Sequence, residues 1–225
     1  MNIDVDAAEE DLWAVGGLYV WPAANQQMEI VSSSNDDSGN STGAWTVKIW
    51  YLDSSFNEFN ETITLMGKIP VATVATNIYR INNFRIQTTG TGGKAAGDID
   101  IRNLADTPIY SRIPTGATRA RNSIYTVPAG KAIFITNMTY SIGASAVGHF
   151  GRFSFRARYD DITGVPSTIF YPYSEIGVTD MAFTIVYQIP MKFPAGVDIK
   201  VSVQADATNA NAVCTVQYRG WIETV

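Results

Sequence analysis

The chain alternates apolar and polar residues over many short segments. "RFSFRARY" (152–159), "FTIVYQI" (183–189) and "VDIKVSV" (197–203) each place an apolar residue at every odd-numbered position. Because side chains of a strand point to opposite faces in turn, this period predicts strands with one buried and one wetter face. In "FTIVYQI" the predicted inward residues are Phe183, Ile185, Tyr187 and Ile189.

Similar turns precede several of these segments. Pro-Ala-Gly occurs at 128–130 and again at 194–196, and Pro-Thr-Gly at 114–116 is a looser relative. Proline presets the backbone dihedral of the second turn position, and glycine accepts the left-handed conformation that ends the turn. The pattern predicts rigid corners, each of which leads into a strand.

The first half of the chain also reads as strand and turn. Residues 45–51 and 61–65 flank a polar hairpin-like loop, and the alternation in 77–87 changes phase, which predicts a β-bulge near Asn82 and Asn83. The only helix candidate is a short segment at 6–15. About twelve to fourteen strands separated by turn residues predict an all-β fold of β-sandwich or jelly-roll modules.

Composition shifts suggest how these modules divide. We expect an acidic N-terminal arm (1–27), a first β-sandwich unit (28–105) and a second sandwich or jelly-roll unit (108–225). The stretch 102–122 marks the boundary because it is rich in Pro, Gly and Thr and interrupts the alternation. One larger sandwich made of interleaved halves is the alternative.

Candidate chemistry is sparse in the 225 residues. A single cysteine (Cys214) and a single histidine (His149) exclude an intrachain disulfide and sites that need several His or Cys ligands. The glycine loop at 89–97 lacks the spacing of a phosphate-binding loop, and the Asp/Asn-rich loop at 32–43 lacks EF-hand spacing, although its oxygens leave calcium open. Asp160, Asp161 and Glu175 are acids without a distinctive pattern. We expect no catalytic residue, no cofactor and, since no apolar run of about 18 residues occurs, no membrane span.

Charge is unevenly distributed along the chain. Residues 1–84 carry 11 acidic and 3 basic side chains, whereas residues 85–225 carry 10 and 13. Five acids lie within the first eleven residues: Asp4, Asp6, Glu9, Glu10 and Asp11. One interpretation is a solvated arm, and the other is an arm that binds a basic patch on a neighbouring copy.

Two surfaces are candidates for contacts with other molecules. Arg152, Arg156 and Arg158 share one face of a predicted strand, and we expect them to bind the acidic arm of another copy. Nucleic acid is not the expected partner, because the chain is acidic overall (net charge −5). Tyr171 and Tyr173, on either side of Pro172, are candidates for recognition of a sugar or a protein.

The segments "GAWTVKIWYLDSSFNEFNETITLMG" (43–67) and "YRINNFRIQTTGTGGKAAGDIDI" (79–101) resemble structural proteins of tailed bacteriophages. The two segments built around Pro-Ala-Gly are similar to the later part of such proteins, so the resemblance covers about residues 30–205. It implies a non-enzymatic virion protein, often trimeric, with major capsid or other virion proteins as partners. A capsid cement or decoration protein on the shell is the favoured expectation, and a tail or neck adhesin for host glycans is the alternative.

Overall fold

The computed structural model describes residues 2–143, 150–159, 169–179, 182–206 and 212–225, with side chains from Val5 onward. Within these ranges the chain forms β-strands and no helix. The strands are β1 (Asn2–Val5), β2 (Glu10–Asp11), β3 (Met28–Ser32), β4 (Ala44–Leu52), β5 (Glu58–Thr64), β6 (Val71–Ala72), β7 (Arg80–Thr89), β8 (Ile99–Asn103), β9 (Ile109–Ile113), β10 (Tyr125–Thr126), β11 (Lys131–Gly143), β12 (Phe150–Arg158), β13 (Tyr171–Thr179), β14 (Ala182–Phe193), β15 (Asp198–Ala205) and β16 (Ala212–Thr224). The predicted all-β fold is confirmed, whereas jelly-roll connectivity stays a prediction.

The chain divides into two compact units in a way that differs from the expected one. Unit 1 combines Met1–Tyr19 with Asn122–Val225, and unit 2 is Val20–Arg121. The division falls at Arg121 and Asn122, at the end of the expected boundary stretch 102–122, because β9 within that stretch pairs with β8 and completes a sheet of unit 2. The N-terminus is therefore part of unit 1 and not a separate arm.

Unit 1 consists of two antiparallel sheets around one core. One sheet has the strand order β1-β16-β11-β14, and the other has the order β10-β15-β12-β13, with β2 also paired to β15. Their buried side chains form one cluster, which includes Tyr140, Phe153, Phe155 and Phe193. Two sheets that share a core in this way form a β-sandwich.

Unit 2 is built in the same way from shorter sheets. The orders are β6-β3-β8-β9 and β5-β4-β7, and the core includes Ile49, Phe84 and Ile101. The predicted hairpin is confirmed, because β4 pairs antiparallel with β5. The predicted bulge is confirmed as well, since Trp50 lies opposite Asn83 while Tyr51 lies opposite Ile81, which leaves Asn82 as the extra residue.

The proline-glycine turns have the predicted geometry. Gly130, Gly196 and Gly116 have φ of 68°, 81° and 77°, the left-handed region that glycine adopts without a Cβ clash. The two Pro-Ala-Gly turns are neighbours in unit 1, because the N–H of Gly196 donates to the carbonyl of Val127 at 2.9 Å. They therefore fix one end of the sandwich together.

The predicted helix at 6–15 is absent. This segment contains β2, whose Asp11 and Glu10 lie opposite Ser202 and Val203 of β15. Pairing with a long, buried strand outweighs the modest helix propensity of the segment.

Candidate interaction surface

Strand β15 is buried on both faces. Val201 and Val203 face the core as predicted, but Asp198, Lys200 and Ser202 on the polar face are buried too. Lys200 and Ser202 bind Asp11 of residues 2–19, here called the N-terminal strap, while Asp198 is paired with Arg158. In the strap, Leu12 donates its N–H to the carbonyl of Val201 at 2.9 Å, so the backbone of the strap follows β15.

A buried carboxylate attaches the strap to the sheet. The Asp11 carboxylate accepts bonds from the Lys200 ammonium at 2.8 Å, the Ser202 hydroxyl at 2.7 Å and the Tyr19 N–H at 2.8 Å. Because a buried carboxylate is stable only when it is paired and hydrogen-bonded, these three donors account for its position. Within the strap, the rings of Trp13 and Tyr19 pack against each other in a T-shaped arrangement, with centroids 5.0 Å apart.

The predicted arginine face is largely used within the chain. Arg156 binds Glu9 of the strap through both terminal nitrogens, at 2.9 and 3.1 Å, and Arg158 pairs with Asp198. Arg152 is the member of the predicted set that stays exposed.

The expectation that the acids of the N-terminus and these arginines join different copies is therefore corrected for two of the arginines. Glu9 and Asp11 have partners in their own unit, Glu10 accepts the N–H of Gly17 at 3.2 Å, and the carbonyl of Asp6 accepts the N–H of Ala205. Asp4 lies in β1, and its side chain is outside the described residues. The physical reason is proximity, since β2 places Asp11 opposite Ser202 on the polar face of β15, and Glu9 lies next to β2 within reach of Arg156.

The opposite side of unit 1 has a different character. Among the described residues, strands β13 and β14 are the last strands of their sheets, and the ring of Tyr173 on β13 lies 5.1 Å from that of Phe193 on β14. The two edges therefore lie along the same side of the sandwich. Large apolar or aromatic side chains are exposed there, and with their two strands they define the open side: Tyr171 (53%), Tyr173 (46%), Phe183 (47%), Val186 (70%) and Ile189 (85%).

A wide irregularity in β14 explains its most exposed residue. Ile135 of β11 pairs with Met191 and Asn137 pairs with Val186, so four residues of β14 lie opposite one residue of β11. Proline at 190 has no N–H to donate to a ladder, which favours a bulge at this point. Ile185 and Tyr187 pack against the core as predicted. Phe183 lies opposite the buried Tyr140 and so shares the inward face, but 47% of it stays exposed on this edge strand. The inward position predicted for Ile189 is wrong.

The two predicted recognition tyrosines are not equivalent. The Tyr173 hydroxyl donates to the Tyr159 hydroxyl at 2.6 Å, and its ring also contacts Phe155 edge-on, so Tyr173 is partly a structural residue. Burial is the main cause that raises the pKa of Tyr159. Tyr171 pairs with Ala157 through the backbone and is the more exposed of the two tyrosines.

The remaining candidate residues do not converge. Glu175 accepts a bond from Ser154 at 2.9 Å, while His149, Asp160 and Asp161 lie outside the described residues. Burial raises the pKa of the Cys214 thiol to about 12. In the ranges that the structure describes, no three His, Cys, Asp or Glu side chains lie together as metal ligands would, and no helix has the length and apolar character needed to cross a bilayer.

The Asp-rich loop at 32–43 contains a structural carboxylate. Asp37 is buried and accepts the Ser32 hydroxyl at 2.6 Å and the N–H groups of Ala44, Ala96 and Gly97 at 2.7–2.9 Å. The Asp37 carboxylate, one of the oxygen ligands considered for calcium in this loop, is therefore already bound by these four donors. Asp37 therefore connects this loop to the glycine loop at 89–97.

Comparisons with known proteins identify no family for the chain. No protein-family model, curated protein or solved structure matches it significantly. The class that the fold and surface define is thus an all-β chain that contains a β-sandwich with one strapped side and one open side.

Proposed function

We propose that this chain is a non-enzymatic structural protein of a bacteriophage virion, and in particular a capsid cement or decoration protein. The observation that carries the proposal is the open side of unit 1. An exposed apolar surface along two edge strands is typical of a protein–protein contact. The resemblance of residues 30–205 to phage structural proteins supports the choice of assembly.

In this mechanism the sandwich is a rigid spacer, and its surfaces bind neighbours in the shell. Each contact contributes modest apolar burial, and the repetition of contacts over many copies makes the whole assembly strong. The strap contributes to this role by stabilising unit 1, because β2 pairs with β15 and Asp11 binds Lys200. The partners are the major capsid protein or other virion proteins, with the capsid surface favoured over the tail.

Cryo-electron microscopy of particles from the source that produces the chain tests this proposal. We expect density for unit 1 distributed over the shell in a fixed ratio to the capsid protein. Purified particles that lack the chain, or turnover of a substrate by the purified chain, would overturn the proposal.

A second candidate is a tail or neck adhesin that binds host glycans through Tyr171. An exposed aromatic ring next to a proline is a suitable platform for a sugar ring. A glycan array with wild-type protein and with the Tyr171→Ala and Tyr173→Ala variants separates the two functions. Tyrosine-dependent binding together with loss of cell attachment by intact particles would favour the adhesin.

A further inference from the structure

The edges of the unit 1 sandwich are protected to very different degrees. At one side the outermost strands are short: β1, β2 and β10 have 4, 2 and 2 residues, and β2 of the strap pairs with β15 at this edge. On the open side, β13 and β14 have 9 and 12 residues. Natural proteins keep edge strands short, charged or covered, because a long free edge pairs with other chains.

Only part of β14 has such protection. The irregularity and Pro190 interrupt the strand between Val186 and Met191. From Ala182 to Val186, by contrast, the sequence Ala-Phe-Thr-Ile-Val has no charge, no proline and high β-propensity. This part of the edge therefore retains the properties that favour pairing with another strand.

The exposed apolar area is a large part of what a stable contact needs. Aromatic side chains have about 150–250 Å² each, so the exposed fractions of Tyr171, Tyr173 and Phe183 amount to about 300 Å². The largely exposed Val186 and Ile189 add to this area. A standard interface buries about 800 Å² per partner. The exposed neighbours Thr184 and Gln188 supply a polar rim for the remainder.

The charge of the open side indicates what kind of partner it takes. Across β13 and β14 the charged side chains are Glu175 and Lys192, one of each sign. Nucleic acid needs a surface with many cations, and this surface has one. A second copy meets no net charge there, so the chain's overall charge of −5 does not oppose contact at this surface.

We infer that the open side binds a second copy of this chain and so joins copies into a closed homo-oligomer. The inference rests on the proposed structural function and names the partner of the same surface. An apolar, charge-balanced edge is self-complementary, and a contact between identical patches closes under symmetry without forming an open filament. The occupant is therefore the same edge of another copy.

Molar mass in solution tests the inference directly. Light scattering and sedimentation of the purified full chain, over a range of concentrations, give two chain masses if the inference holds, because a contact between identical patches closes as a dimer, whereas a mass of three or more chains contradicts it. The double variant Val186→Lys, Ile189→Lys places two cations on the open side, and we expect its dissociation constant to rise about 100-fold or more.

Val74→Lys is the matched control. Val74 is 87% exposed, as exposed as Ile189, but it lies in unit 2. The control variant keeps the wild-type mass if the effect belongs to the open side. Circular dichroism melts establish that the variants are folded, and the concentration dependence of the wild-type mass provides the test if the double variant does not fold.

The outcomes separate this inference from the proposed function. A wild-type chain that stays monomeric at all concentrations up to about 100 µM, well above typical interface dissociation constants, overturns the inference even if the chain occurs in particles. An oligomer that the double variant does not dissociate, while the variant stays folded, overturns it too. A homo-oligomer that is disrupted by the double variant but absent from particles supports the inference and contradicts the virion function.

Discussion

The two sides of the unit 1 sandwich differ in how their outer strands are protected. On one side the strap lies along β15 and pairs its acids with Lys200 and Arg156. On the other side β13 and β14 end their sheets with apolar residues exposed. The strapped side uses charges to satisfy contacts within the chain, whereas the open side offers apolar area to another molecule.

The structure gives the charged residues a different role from the one that the sequence suggested. An acidic N-terminus and an arginine face suggest electrostatic contacts between copies, but the structure pairs most of them internally. Charged pairs contribute geometric specificity, and apolar burial supplies most of the driving force for association. The residues suited to joining copies are therefore Val186 and Ile189 rather than the acids of the strap.

The largest expected effect is on the strapped side. Asp11→Ala leaves the buried ammonium of Lys200 without its partner, so we expect the free energy of unfolding to fall by about 3–5 kcal/mol. Urea denaturation measures this change. Asp11→Leu combined with Lys200→Met removes both charges and is expected to recover most of the loss, whereas a loss below about 1 kcal/mol for Asp11→Ala would contradict the described pairing.

Alkaline pH tests the core that both sides share. Burial raises the pKa of Cys214 from 9.0 to about 12 and that of Tyr140 from 10.0 to about 12. The unfolded chain therefore loses these protons at lower pH than the folded chain does. Their contribution to stability is complete below pH 9 and is lost as pH rises from 9 toward 12.

Urea denaturation at a series of pH values up to about 10.5 measures this loss, with a slope of about 1.4 kcal/mol per pH unit for each fully titrating group. Cys214→Ala removes one group and lowers the slope between pH 9 and 10. An unchanged slope in this variant would show that Cys214 does not titrate differently in the folded and unfolded chains.

A smaller effect is expected for the partly exposed ion pair of the strap. Glu9→Gln removes the charge that Arg156 binds, and pairs of this kind contribute about 0.2–1 kcal/mol. The difference in stability between Glu9→Gln and the wild type is expected to disappear in about 0.5 M salt, because the Debye length is then only a few ångströms. Arg152→Gln, on the same strand and exposed, is the control with no expected change.

The smallest change in stability is expected on the open side. Ile189→Ser at concentrations where the chain is monomeric leaves the free energy of unfolding within about 0.5 kcal/mol, because the side chain is already exposed. Ile199→Ala, at a fully buried position of β15, costs about 2–5 kcal/mol in the same assay. Equal losses for the two variants would remove the distinction between the open side and the core.

The sequence predicted strands, turns and the bulge better than it predicted what packs against them. Alternation located the core residues of β12 and β15, and the Pro-Ala-Gly turns and the bulge at Asn82 are local features that depend on neighbouring residues. Period 2 indicates which residues share a face, but not what covers that face. The burial of Lys200 by a strap almost two hundred residues earlier is long-range information of this kind.

The sequence indicated only some of the residues that form the open side. Tyr171 and Tyr173 stood out beside Pro172, and alternation put Val186 on the wetter face of its strand, but Ile189 was among the residues predicted to face inward. Pro190 was the available signal, because a proline within a strand indicates an edge or a bulge. The position of β14 at the end of its sheet depends on pairing with β11, which local patterns do not specify.

Hydrogen exchange of β14 measures the central claim most directly, because it reports on the backbone of the open edge without any substitution. Peptides covering Ala182–Phe193 are compared in dilute and concentrated samples of the purified chain. We expect their amides to become protected as concentration rises, while peptides of β5 in unit 2 do not change. Exchange in β14 that is equally fast at every concentration would mean that no second copy covers this edge.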